Sequence, residues 1–137
     1  MVFDLKGYQV QSLDVLRDYL DQARLHGPKA AFLENRGDDV PPGYRVAYRE
    51  IAGLEGVPYV CMRVPTGGGK TLLAAYSIPI VGETYLDQEY PAAIWFVPTK
   101  IIQAQTVDAM KDENHPYRLA LDDAFNGRVR IFDASEI

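Results

Sequence analysis

The residues best placed to do chemistry stand in one run, Val64 Pro65 Thr66 Gly67 Gly68 Gly69 Lys70 Thr71. Consecutive glycines let a backbone curl until successive N–H groups point inward, and such a cradle suits phosphate oxygens. A side chain at Gly67, Gly68 or Gly69 would crowd that cradle or forbid a positive φ. Gly69 Lys70 Thr71 is the ending of a Walker A loop, in which the lysine reaches the β and γ phosphates and the hydroxyl serves magnesium. At 4 Å a lysine and a phosphate charge attract by about 4 kcal/mol before desolvation, at an intermediate effective dielectric. A helix starting at the lysine adds the partial positive charge of its N-terminus, so loop, lysine and dipole favour the same polyanion. The expected ligand is a nucleoside triphosphate with Mg2+, held by Thr66, Gly67, Gly68, Gly69, Lys70 and Thr71. Lys70 and Thr71 are the catalytic candidates, with Thr71 the magnesium ligand.

The plainer alternative is a glycine-rich turn before a helix that happens to begin with lysine. The flanks favour the phosphate loop. Val57 to Arg63 reads as a buried strand and Leu72 to Tyr76 as an apolar helix, so strand, loop and helix follow in the required order. The strict pattern Gly-x-x-x-x-Gly-Lys-Thr would put glycine where Val64 stands. A β-branched residue before Pro65 favours extended backbone, so the loop should leave its strand straight and turn at Thr66 and Gly67.

Upstream, Val10, Leu13, Leu16, Leu20 and Ala23 recur at helical spacing and predict an amphipathic helix from Tyr8 to Leu25, ended by His26 Gly27 Pro28. Gln9 stands in its first turn. A side-chain amide can donate to adenine N7 and accept from its N6 amine, so Gln9 is a candidate for reading the base; the bland alternative is a solvated first-turn residue. Residues 29–56 say least. Ala30 to Leu33 suggests a short helix and Tyr44 to Tyr48 a short strand. Asp38 and Asp39 have no third ligand beside them to make a metal site, and a solvated loop is the better reading.

Downstream, the helix after the loop should run to about Ile80, with Gly82 as its stop. Ala92 to Val97 is apolar throughout, as strands covered on both faces are. It delivers Pro98 Thr99 Lys100 to a helix from Ile101 to about Met110. Thr99 and Lys100 are therefore candidates for a nucleic-acid phosphate, with helix capping by Thr99 as the bland and compatible alternative. A further helix is predicted from Tyr117 to Phe125, and a third strand from Val129 to Asp133.

The chain has 137 residues, 47% of them hydrophobic, which bounds it to one domain at most. A formal net charge of −5 gives no general attraction to nucleic acid or to an anionic membrane, so DNA binding would have to be local and weak. Cys61 is alone, which excludes an internal disulfide and suggests a buried, reduced thiol. No signal-peptide pattern or membrane-length apolar run is present, so a cytoplasmic location is expected and a membrane partner is not. No zinc-ligand spacing is found.

Taken together, Leu5 with Tyr8 Gln9, then Pro65 to Thr71, then Val97 to Lys100 followed by Gln103 and Gln105, resemble the N-terminal part of a superfamily 2 helicase core. They are similar to the DEAD/DEAH-type proteins, including the Res subunit of type III restriction enzymes. The resemblance implies a P-loop NTPase (RecA-like) fold, an α/β three-layer sandwich with a mainly parallel sheet, truncated and preceded by an N-terminal helix. Residues 1–56 would be the Q-motif-like helix and lead-in, and 57–137 the P-loop strand with motifs I and Ia. It further implies that Gln9 reads the adenine of ATP, that the loop holds ATP and Mg2+, and that Thr99 and Lys100 touch DNA. The remainder of a helicase core would be the natural partner. Hydrolysis needs an Asp-Glu pair, and here Asp133 is followed by Ala134. The expectation is thus a truncated first domain that binds nucleotide without turning it over and either self-associates through an exposed sheet edge or is only marginally stable. The alternative is a P-loop nucleotide switch or phosphotransferase that does not act on DNA.

Overall fold

The computed structural model describes residues 4–36 and 47–137. Their regular structure is helical: α1 Gly7–His26, α2 Pro28–Arg36, α3 Lys70–Val81, α4 Lys100–Lys111 and α5 Pro116–Phe125, with a π-turn at Gly82–Leu86 and a 3-10 turn at Ala134–Glu136. The paired aspartates Asp38 and Asp39, and Tyr44 of the suggested strand, lie outside the described residues.

The helix ends follow local chemistry. Gly27 closes α1 with φ +88°, its N–H donating to the Ala23 carbonyl, and Pro28 then opens α2, where a missing N–H costs nothing. Thr99 caps α4, its hydroxyl oxygen accepting from the Ile102 N–H at 3.2 Å. His115 caps α5 ahead of Pro116, and Asn126 ends it in the left-handed conformation at φ +52°. Gly82 ends α3 as expected, as its C-cap after Val81, although the chain continues directly into the π-turn. It is buried and right-handed, and a Cβ there would lie 2.8 Å from the Gln88 carbonyl, so its small size lets the π-turn fold back beneath α3.

Two apolar clusters meet on α3. Leu73 and Ile80 pack with Leu13, Leu16, Tyr19, Leu20 and Ala23 of α1, with Ala31 of α2 and with Val64. Ala75 on another face of α3 packs with Leu121 and Phe125 of α5, closed over by Trp95, Val129 and Ile131. The helix that follows the loop is therefore held from both sides, which fixes where its N-terminus points. The buried face of α1 is the expected one at Leu13, Leu16, Leu20 and Ala23, with Tyr19 added to it and Val10 left 43% exposed. Burial raises the Tyr19 phenol above its ordinary pKa, with the Tyr48 hydroxyl adding to the shift.

The parallel α/β sandwich is not formed. Among the described residues there is no strand and no sheet, and the stretches at 57–63, 92–97 and 129–133 run without a ladder. Apolar, β-branched composition favours an extended backbone, but a strand also needs a neighbour about 4.8 Å away to share hydrogen bonds. Here no backbone hydrogen bond joins one of these stretches to another. Side chains of Met62, Trp95, Val129 and Ile131 turn to the clusters, while Ile94 and Phe96 stay 83% and 88% exposed. The sheet edge invoked for self-association is accordingly absent from the described residues. Cys61, on the first of these stretches, is exposed rather than buried.

Thr99→Ala is expected to cost about 1 kcal/mol of stability, read as a lower urea midpoint at unchanged slope. No change in midpoint would remove the capping role.

Candidate phosphate site

The loop between Val64 and Lys70 is built in three steps. Val64 is buried among the α1 and α3 side chains and anchors the start of the loop in the core. The chain then turns, and the Gly68 N–H donates to the Pro65 carbonyl at 2.9 Å. Gly67 occupies the third position of that turn with φ +77°, a conformation that favours glycine. Gly69 follows with φ +79° and is the residue from which α3 departs, its carbonyl accepting from the Leu73 N–H at 2.9 Å. The turn thus falls at Thr66 and Gly67, after a straight exit through Val64 and Pro65.

No side chain caps the N-terminus of α3 and no acidic residue stands in its first turn. Its first N–H groups remain available to an external anion. Lys70 is the first residue of the helix and is exposed; Thr71 is half-buried beside it. Thr66 and Gly67 are exposed on the outer lip, while Gly68 is buried at the base. Glycine is needed for different reasons along the loop. At Gly67 nothing lies within 4 Å of an added Cβ, so the requirement there is conformational, whereas at Gly68 it is steric.

Gln9 is brought to this loop from the other end of the fold. It is buried, 6% exposed, and is the buried polar side chain among the described residues. Its Oε1 accepts from the Lys6 N–H at 2.9 Å, the backward half of a capping box at the start of α1. Its Nε2 donates to the Gly68 carbonyl at 3.0 Å. An amide carries two N–H groups and two acceptor lone pairs, and one of each is engaged by protein here. Sequence reasoning found Gln9 and the loop separately, and the fold joins them. It named Tyr8 beside Gln9 but gave it no role of its own; the Tyr8 hydroxyl donates to the same Gly68 carbonyl at 3.0 Å. The available signal was a phenol adjacent to Gln9 at a helix start, long enough to reach a neighbouring loop.

Thr99 and Lys100 belong to α4 and are not part of this constellation. Thr99 is engaged as the cap of α4, and Lys100 is exposed in its first turn. Asp133, the residue nearest in type to a catalytic carboxylate, accepts from Gln103 Nε2 at 2.8 Å and caps the turn at Ala134–Glu136. Next to it, Lys111 Nζ lies 2.8 Å from a Glu136 oxygen and holds that carboxyl below the usual range. These acids tie the end of the described chain to α4. Among the described residues there is no cluster of metal-ligating side chains and no helix long and apolar enough to cross a membrane.

The chain matches no protein-family model, no curated protein and no solved structure.

Proposed function

We propose that this chain binds the triphosphate of ATP with Mg2+ on the loop from Thr66 to Thr71. The reading is that of the nucleotide-binding part of a helicase-type or restriction-translocase ATPase in the cytoplasm. The observation that carries it is the joining of Gln9 to Gly68 across 59 residues of sequence, beside a helix N-terminus without a side-chain cap. The same amide also closes the capping box of α1, so it ties the start of that helix to the base of the loop. Lys70 meets the β and γ phosphates, and the N–H groups of the loop and of the first turn of α3 surround their oxygens. Thr71 supplies one oxygen to Mg2+, which typically takes one or two protein ligands and completes its octahedron with phosphates and water. The amide of Gln9 suits the Hoogsteen edge of adenine.

Hydrolysis is not part of the proposal for these residues, because Asp133 is committed to Gln103 and to its own turn. Binding without turnover is the activity assigned. In the parent reading, Thr99 and Lys100 meet DNA once the rest of a helicase core is present.

The test is ATP affinity in Mg2+ for the native chain and for Lys70→Ala. The loss of a charged contact should weaken binding by about tenfold to a hundredfold, with unfolding temperature nearly unchanged because Lys70 is exposed. Equal affinities would end the phosphate-site reading.

A further inference from the structure

Gly68 offers one carbonyl, and two adjacent residues of α1 donate to it. Tyr8 Oη and Gln9 Nε2 each lie 3.0 Å from that oxygen. A carbonyl has two lone pairs, so this acceptor is saturated by protein. The peptide joining Gly68 to Gly69 is planar and trans, and in such a unit the C=O and the following N–H point in opposite directions. Holding the Gly68 oxygen against α1 therefore aims the Gly69 N–H away from α1. The left-handed φ of Gly69 belongs to the same arrangement, and a Cβ there would fall 2.6 Å from Gln9 Nε2.

We infer that Tyr8 is a positioning residue for the phosphate loop: its phenol pins the Gly68–Gly69 peptide so that the Gly69 N–H faces the polyphosphate. The inference rests on the loop being a phosphate site. Tyr8 touches no phosphate itself and acts through the peptide it orients. A glycine-rich loop that loses one of two restraints on this unit samples the flipped orientation, which presents an oxygen to an anion instead of a hydrogen. Because the effect is on the peptide, it is indifferent to the base. Gln9 differs, since it restrains the same peptide and is also the residue proposed to read adenine. The two neighbours thus divide the work: Tyr8 serves every polyphosphate, and Gln9 adds a preference among nucleotides.

The experiment compares native chain, Tyr8→Phe, Ser12→Ala and Lys70→Ala for binding of MgATP and of inorganic tripolyphosphate, with the amide resonance of Gly69 followed in the ligand-free proteins. Ser12 is the control on the same helix, its hydroxyl donating only to the Tyr8 carbonyl one turn back. Tyr8→Phe should weaken both ligands by the same factor, about fivefold. It should also shift the Gly69 amide while the melting temperature stays within a few degrees, as Tyr8 is 39% exposed and keeps its ring. Ser12→Ala should change neither ligand. A loss for ATP with tripolyphosphate unaffected would make Tyr8 a nucleoside contact and overturn the inference, as would unchanged binding of both. If Tyr8→Phe fails to fold, Gly69 resonances of the native chain decide: an amide proton insensitive to tripolyphosphate overturns the inference, and a large shift supports it. If Lys70→Ala binds tripolyphosphate as well as the native chain, the phosphate-site reading fails first. That outcome is separate from a lost effect of Tyr8 with Lys70 dependence intact.

Discussion

Leu73→Ala is expected to lower stability by about 2–5 kcal/mol, which for a chain of this size moves the thermal midpoint down by roughly 7–17 °C. Leu73 is 1% exposed and stands one turn into α3, where it touches the α1 face and Val64. Removing three carbons leaves a cavity between two helices that are each held elsewhere, so collapse around it is limited. The hydrogen bond from the Leu73 N–H to Gly69 is backbone and survives. Circular dichroism melts measure the shift. At a temperature well below the new midpoint, ATP affinity should remain within about twofold of native, since no group that would meet the ligand has changed. A midpoint shift under about 3 °C would mean that α1 and α3 are not packed through this residue.

The second large effect belongs to Gly68. A Cβ there would fall 2.5 Å from Val64 Cγ1 and 2.8 Å from the Pro65 carbonyl oxygen. The first neighbour is a core side chain and the second is backbone, so neither can swing aside cheaply. Gly68→Ala should cost about 1–3 kcal/mol and, by displacing the carbonyl that Tyr8 and Gln9 hold, weaken ATP by about tenfold or more. Adding Val64→Ala removes one of the two clashes. The double variant should be more stable than the sum of the single losses, while its ATP affinity stays low because the Pro65 oxygen still pushes the loop. Strict additivity of the two stability changes would show that Val64 and Gly68 do not touch.

Much of this was legible in the residues, and the division is physical. Helix ends were readable because their signals are local: Thr99 before α4 and His26 Gly27 Pro28 after α1 depend only on neighbouring backbone. The loop was readable for the same reason, since three glycines and a lysine carry their conformation with them. The face of α1 was readable in its centre, at Leu13, Leu16, Leu20 and Ala23, but not at its margins, where Val10 is exposed and Tyr19 buried because neighbours set how far the buried stripe extends. The sheet was misread. Runs such as Ala92 to Val97 and Val129 to Asp133 specify extended, apolar chain, and pairing is a property of a second segment that no single run contains. Gln9 was readable as a residue of interest, but its partner at Gly68 was not, since an amide can satisfy itself against any nearby donor and acceptor. Tyr8 had no distinguishing signal beyond its place beside Gln9.

Tyr8 and Gln9 reach Gly68 from 60 and 59 residues away. Closing a loop of that length costs about 3.6 kcal/mol of chain entropy beyond a constant term. The turn at Pro65–Gly68 can form by itself, but the orientation of the Gly68–Gly69 peptide waits until α1 has docked on α3. The orientation of this peptide is consequently a product of tertiary packing, and detaching α1 removes both donors from the Gly68 carbonyl. A ligand that prefers the oriented loop must also hold α1 in place, so occupancy of the site and attachment of the N-terminal helix are two readings of a single equilibrium.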